Sequence, residues 1–307
     1  MEKQWLGLVE ALELTLNKVP MMPTEVLPVH ECVQRVAADD IYSKINSPSL
    51  TASLKDGYAI CSEDVAQASE DQPVILPVVG TVSAGEKSSC RLEKGQAIRI
   101  LTGAPLPEGA EAVVSQEFTR ESGDRIVILA DSEPGRNVLA RGTDVMEGEQ
   151  IVRRGEILRA GHAGLIAAAG IDAVKVYKLP RVAIIATGDE ILAPGEPFRS
   201  GALFASNLVT LSGFLRFRNI GVVMKVIKDQ PDQIRETVDT VLRECDAVLT
   251  IGGAWEGDKD YSLGVLDELG WEPHYHRVRI GPGKAVAFGL LKGKPVFCLP
   301  GGPPSNE

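Results

Sequence analysis

The sequence predicts a multidomain α/β plus β protein. A doubly wound α/β domain is expected in its second half, and an interrupted helical domain with an inserted β domain in its first. Three observations predict this. From Arg181 onward, near-continuous apolar strands alternate with helical segments, the pattern of a parallel sheet covered on both faces. Between Asn46 and Asp144, short β-rich runs are punctuated by Gly, Pro, Ser and Asp turn signals. Two segments of similar polarity, each with helical character, flank that stretch. The expected domains are 1–45 with 145–177, 46–144 as the β insert, and 178–307 as the α/β domain.

Residues 1 to 19 place Trp5, Leu6, Val9, Leu12 and Leu16 at helical spacing, which predicts an amphipathic first helix. The chain turns near Val26–Pro28 and enters ECVQRVAADDIYS, a short helical or extended piece. The runs PVILPVVGTV, QAIRILT, EAVVSQEF and DRIVILA read as strands of a small barrel or sandwich. GHAGLIAAAG reads as a small-residue helix with Gly170 as its stop. RVAIIAT, GVVMKVI, DAVLTIGG and KPVFCLPGG then read as strands. SNLVTLSGFLRF, PDQIRETVDTVLREC (with Pro231 in its first turn) and DYSLGVLDEL read as helices.

The 307 residues are enough to bury a core without metal or disulfide staples. A net charge of −10 is the wrong sign for a protein that neutralises phosphate backbones, so nucleic acid is not an expected partner. Cys32, Cys61, Cys90, Cys245 and Cys298 are odd in number and never paired as CxxC, which fits a reducing, cytoplasmic setting and no zinc site. No run approaches 18 apolar residues, so no membrane span is expected. His30, His162, His274 and His276 form no triad or ligand spacing. GxSxG, GxxxxGK[ST] and GxGxxG are all missing.

Ligands of an open α/β sheet bind beyond the carboxyl ends of the strands. Those ends run into Thr187-Gly188-Asp189-Glu190, into Gly252-Gly253 followed by Trp255, Glu256, Asp258 and Asp260, and into Pro300-Gly301-Gly302-Pro303-Pro304-Ser305. Three backbone-exposing loops on one edge suit a phosphate-bearing ligand, and the carboxylates of the second suit Mg2+ held jointly with phosphates. The blander readings are a helix-capping box at Thr187-x-x-Glu190, a tight turn at Gly252-Gly253, and a solvated acidic loop. Asp56-Gly57-Tyr58-Ala59 is a turn or a site. Thr102 offers a hydroxyl to a ligand or to its own backbone. Arg277, Arg279 and Lys284 surround Gly281-Pro282-Gly283, a cationic loop suited to an anion or simply solvated.

Read in order, SLKDGYAI, SAGEK, IRILTGAPLPEGAEAVVSQE, RGTDV, PRVAIIATGDEI, the SN of FASNL, IGGAWEGDKDYS, GPGKAVAFG and LPGGPPS resemble the MoeA family, the molybdopterin molybdenumtransferases, which includes the E domain of gephyrin. The resemblance implies a role in molybdenum cofactor biosynthesis. Adenylylated molybdopterin and molybdate would be converted, with Mg2+, to the molybdenum-loaded cofactor and AMP. It also implies a homodimer, a MogA-like α/β domain, and a small C-terminal β domain that this sequence ends before. Carried over by motif, Asp56, Thr102, Asp144, Glu190 and Asp260 would be catalytic. Thr187, Gly188, Asp189, Gly252, Gly253, Arg277, Lys284, Gly301 and Ser305 would bind substrate. Glu190, Asp229 and Asp260 would hold Mg2+.

The departures from the family pattern are specific. Thr51, Ala52, Leu54 and Lys55 stand in the D-N-S-A-M-D-G-Y-A stretch, and Trp255 replaces a serine. Gly281 and Arg277 stand where the family has lysines, Ala285 replaces a proline, and Gly302 replaces an asparagine. Arginine binds oxyanions through a planar fork and is not equivalent to lysine. Two functions are therefore compatible with the sequence: a metal-inserting transferase with a re-tuned anion loop, or a paralog that binds a pterin or nucleotide, or scaffolds a partner, without inserting metal.

Overall fold

The structure, a computed structural model, describes residues 6–85, 90–252 and 261–302. The chain divides into two compact units, Met1–Glu25 with Tyr177–Glu307, and Val26–Val176. The sequence reading grouped residues 1–45 with 145–177, whereas the first 25 residues join the α/β unit. The contacts explain this. Helix α1 (Leu8–Lys18) sends the Thr15 hydroxyl to within 3.1 Å of the Tyr275 hydroxyl, and the Arg279 N–H donates to the Leu6 carbonyl at 2.8 Å. Only Ala11 of α1 is buried, and Leu8, Val9, Leu12 and Leu16 stay exposed.

The Val26–Val176 unit holds a six-stranded sheet. Its strands are β1 (Gly57–Ile60), β2 (Val74–Val82), β3 (Ala97–Ile100), β4 (Ala112–Ser115), β5 (Thr119–Ser122) and β6 (Arg125–Ile128), in spatial order β4-β1-β3-β2-β6-β5. The β2–β3 pair is parallel, and the other neighbours are antiparallel. Ile60, Ile126 and Ile128 are buried on one side of this sheet, and Ile98 and Ile100 in a second cluster with Ala59 and Val113. That alternation along β1 is the period-two pattern of a strand packed on both faces. A separate core gathers Cys32, Ala37 and Ile41 with Val145, Val152, Leu158, Ile166 and Val174. Helix α2 (Ala160–Ala168) contributes Ile166 and is followed by Gly170 at φ +79°, a left-handed position that glycine adopts without strain.

The α/β unit is built on β7 (Arg181–Thr187), β8 (Gly221–Ile227), β9 (Ala247–Ile251), β10 (Glu272–His276), β11 (Ala287–Leu291) and β12 (Lys294–Leu299). Their order is β8-β7-β9-β12-β11-β10. The first four run parallel and the last two antiparallel. Helices α4 (Pro231–Glu244) and α5 (Tyr261–Glu268) bury Ile234, Val238, Val241, Val265 and Leu266 against Ala183, Ile185 and Val248. Helix α3 (Ser206–Phe217) covers the other face, where Leu208 packs with Ile184, Ala186 and Ile251. Burying each of these large aliphatic side chains contributes roughly 1.5–3 kcal/mol. The strand and helix ranges agree closely with the alternation in the sequence. The β10–β11 antiparallel pair was not anticipated, because EPHYH lacks the apolar alternation of a strand. No helix among the described residues is long and apolar enough to cross a membrane.

Candidate functional site

Parallel register brings three strand ends level in the α/β unit. Ala186 pairs with Ile251, and Ile251 with Leu299, so Gly188–Glu190, Gly252 and Pro300–Gly302 leave the sheet on one edge. A cavity of about 450 Å³ opens there, within the range of small-molecule sites. Thr187, Glu190, Gly252 and Gly301 line it together with Ser206 and Asn207 from the start of α3.

Local chemistry shapes this cavity. A Cβ at Gly252, which sits at φ +92°, would lie 2.8 Å from the Thr187 carbonyl oxygen and 3.2 Å from its Oγ1. Only glycine lets the two loops approach so closely. The Thr187 hydroxyl is buried and has no hydrogen-bond partner among the described residues. A buried, unsatisfied hydroxyl is unfavourable unless something bonds it. Asn207, also buried, donates from Nδ2 to the Gly301 carbonyl at 2.8 Å and ties α3 to the loop after β12. The sequence assigns Asn207 no role beyond its place in FASNL; the signal that points to it is an amide in the first turn of α3.

Thr187-x-x-Glu190 is not a helix-capping box. The chain continues as Ile191–Leu192, which pairs in parallel with Leu203–Phe204. Asp229, just beyond β8, faces Asp189 and Glu190 electrostatically. Burial first, and then these two charges, push its carboxyl above the usual range. Its Oδ1 is buried without a hydrogen-bond partner among the described residues. Hard oxygen donors of this kind fit Mg2+, which takes one or two carboxylates and completes its shell with water and phosphate. Among the described residues no group of three or more His, Cys, Asp or Glu is placed to hold a metal.

Arg277 and Lys284 lie at the base of the β10–β11 connection, where the Arg277 N–H donates to the Val286 carbonyl at 2.9 Å and the Val278 N–H to that of Lys284 at 3.0 Å. Neither lines the cavity. Arg279 turns instead toward α1 and pairs with Glu10 at 3.7 Å. Gly253, Trp255, Glu256, Asp258, Asp260 and Ser305 lie outside the described residues.

The other sequence-predicted residues belong to the Val26–Val176 unit. Asp56 Oδ1 accepts hydrogen bonds from the Thr102 N–H at 2.7 Å and the Thr102 hydroxyl at 2.8 Å. Those bonds, the backbone one foremost, hold its carboxyl below the ordinary range. The pair lines an open cavity of about 510 Å³ with Lys55, Ser115, Gln116 and Glu117. Asp144 is not among these residues; it is exposed and accepts a bond from the Ser47 hydroxyl at 3.3 Å.

A mainly parallel α/β sheet with a cavity of small-molecule size beyond its strand ends, in one chain with a β-rich unit bearing a bonded Asp–Thr pair, defines a protein of α/β plus β class. The comparisons name the family. Residues 6–170 match the MoeA N-terminal region (domain I and II), and residues 183–306 match the family described as "Probable molybdopterin binding domain". A molybdopterin molybdenumtransferase of Nostoc sp. is 32% identical over 302 residues, 96% of this chain and 69% of that protein. One from Haemophilus influenzae is 32% identical over 303 residues, 98% of this chain and 74% of its own length. The crystal structure of a molybdopterin biosynthesis MoeA protein from Pyrococcus horikoshii superposes with a TM-score of 0.78 at 33% identity, over 98% of this chain and 75% of that one. The chain belongs to the MoeA family of molybdopterin molybdenumtransferases, a family of molybdenum cofactor biosynthesis.

Proposed function

We propose that this chain is a working molybdenumtransferase that converts adenylylated molybdopterin and molybdate, with Mg2+, to the molybdenum-loaded cofactor and AMP. The observation that carries the reading is the cavity at the level strand ends, where the Thr187 hydroxyl, without a partner among the described residues, meets the glycine-lined loops. The Thr187 hydroxyl, the Asp189 N–H and the first turn of α3 would bind phosphate oxygens, while Gly188 and Gly252, whose N–H groups donate to the Ile227 and Leu299 carbonyls, would let the ligand approach the loop backbone closely. Glu190 and Asp229, joined by Asp260, would hold Mg2+, which supplies charge neutralisation at the phosphate oxygens when bound. Asp56, fixed by Thr102, and Asp144 would orient substrate groups, so that catalysis rests on positioning and fixed charge. The MogA-like α/β domain, the interrupted helical domain and the inserted β domain of the family plan are part of this reading.

The exposed Leu8, Val9, Leu12 and Leu16 on α1 support a homodimer, and five free cysteines support a cytoplasmic setting. One observation favours the binding paralog: Arg277 and Lys284, the cations left after the lysine at position 281 is lost, do not line the cavity. Glu190→Gln separates the two readings. A transferase loses AMP release in this variant while its thermal midpoint stays within a few degrees, because Glu190 is an exposed loop residue. Undiminished release would remove Glu190 from the mechanism.

A further inference from the structure

The proposed function accounts for the polar part of the α/β cavity but not for its aromatic rim. Phe204 lines the cavity and is 44% exposed; Phe198, beside it, is 70% exposed. Their ring centroids lie 6.3 Å apart with an interplanar angle of 39°. Of the exposed phenylalanines Phe118, Phe198, Phe204, Phe214 and Phe217, Phe204 is the one that lines this cavity.

The rim is held in place by the backbone. Leu203–Phe204 pairs in parallel with Ile191–Leu192. The Leu203 N–H donates to the Glu190 carbonyl at 2.9 Å, and the Ala205 N–H to the Leu192 carbonyl at 2.9 Å. Farther out, the Arg199 guanidinium donates to the Asp189 carbonyl, and the Ala202 N–H to the Arg199 carbonyl at 3.1 Å. The backbone that carries Phe204 is thus anchored to the loop that carries Glu190. Gly252, Gly301 and Gly302 leave other parts of the lining free of side chains, which is room for a flat group. The hydroxyl of Thr187 and the start of α3 supply polar partners in the same cavity.

We infer that Phe204, backed by Phe198, is the stacking surface for the planar, nitrogen-rich ring of the ligand and sets the site's preference for such a ring. Stacking on an aromatic side chain is sequence-tolerant and orients a ring without a dedicated hydrogen-bond pattern. The inference rests on the proposed function in locating the ligand, and its test runs without turnover. AMP and 6-hydroxymethylpterin serve as separate probes, so that the two sources of a bicyclic ring are told apart. Binding is followed by calorimetry and by the proton NMR shifts of the probe.

At least one probe is expected to bind with its ring protons shifted upfield. Phe204→Ala should weaken that binding roughly 5- to 150-fold, and Phe198→Ala about 2- to 10-fold. Phe204→Trp should restore both affinity and shift, whereas Phe204→Leu should restore neither the shift nor full affinity. Both side chains are exposed enough for these variants to keep their fold, which circular dichroism checks. The inference is overturned if neither probe binds at millimolar concentration, or if Phe204→Ala leaves both affinities within twofold. Ring binding that persists, and depends on Phe204, in a protein that releases no AMP would overturn the transferase reading and leave this one standing.

Discussion

Gly57→Ala is the sharpest structural test. Gly57 opens β1, paired with Ser115 on one side and Ile100 on the other, directly after Asp56. A Cβ placed there would lie 2.0 Å from the Val114 carbonyl oxygen, 2.9 Å from its carbon and 3.1 Å from the Ser115 Cα. These are backbone atoms of the buried β1–β4 pair, so no side chain can swing away. Reaching an ordinary contact of about 3.5 Å requires β1 and β4 to part by more than ~1 Å. The flanking ladder bonds, each worth about 0.5–1.5 kcal/mol net, would then be lost or stretched, and buried donors left unpaired. A cost of about 3–5 kcal/mol follows. With an m-value of about 1–3 kcal/mol/M, the urea midpoint of this unit should fall by roughly 1–5 M. The matched control is Gly123→Ala in the β5–β6 turn, at φ +64° with nothing within 4 Å, where only backbone strain of about 1–2 kcal/mol applies. Equal urea midpoints for wild type and Gly57→Ala would refute the steric argument and the β1–β4 register with it.

Three further outcomes are expected. Thr102→Val removes one of the two bonds that depress the Asp56 carboxyl, so its titration, read by carboxyl ¹³C shifts, should move up toward the ordinary aspartate value. The stability from Asp56 is complete above that ordinary value, near pH 3.9, and is lost as pH falls through the depressed one, so Thr102→Val should show a smaller loss on acidification. Asp229 has the opposite sign: ionising it costs stability, nothing below the ordinary value and the full amount above the raised one. Asp229→Asn should therefore raise the thermal midpoint near pH 7 but not near pH 3, and it should also reduce any stabilisation by added Mg2+. Equal gains at both pH values would contradict the assignment. Gly252→Ala should cost about 1–3 kcal/mol and weaken ligand binding, because its methyl group would press on Thr187; unchanged calorimetric affinity would show that this approach does not matter.

The parts of this molecule that were legible in sequence are those set by local pattern. Val182–Ala186 and Ile234–Leu242 carry their periodicities openly, and the strand-end rule led from those strands to Thr187, Glu190, Gly252 and Gly301. What escaped depends on distant pairing. Asp56 meets Thr102 because β1 lies beside β3, and Asn207 meets Gly301 across 94 residues. The capping-box reading of Thr187-x-x-Glu190 failed because Leu203–Phe204 offers Ile191–Leu192 an extended partner, which favours a short parallel pair over a helix start. The apolar spacing of Val9, Leu12 and Leu16 led to the helix Leu8–Lys18 but not to the exposure of its leucines; Leu6 lies before the helix, bridged to Val278, and Trp5 lies outside the described residues. Arg277, Arg279 and Lys284 looked like one cationic loop, yet Arg279 is drawn to Glu10.

The most direct test of the account is AMP release from adenylylated molybdopterin by the wild-type chain, with and without molybdate, at saturating Mg2+. The account predicts release that depends on molybdate and disappears in Glu190→Gln. Tight binding of the substrate with no molybdate-dependent release would contradict it and identify a binding paralog of the same fold.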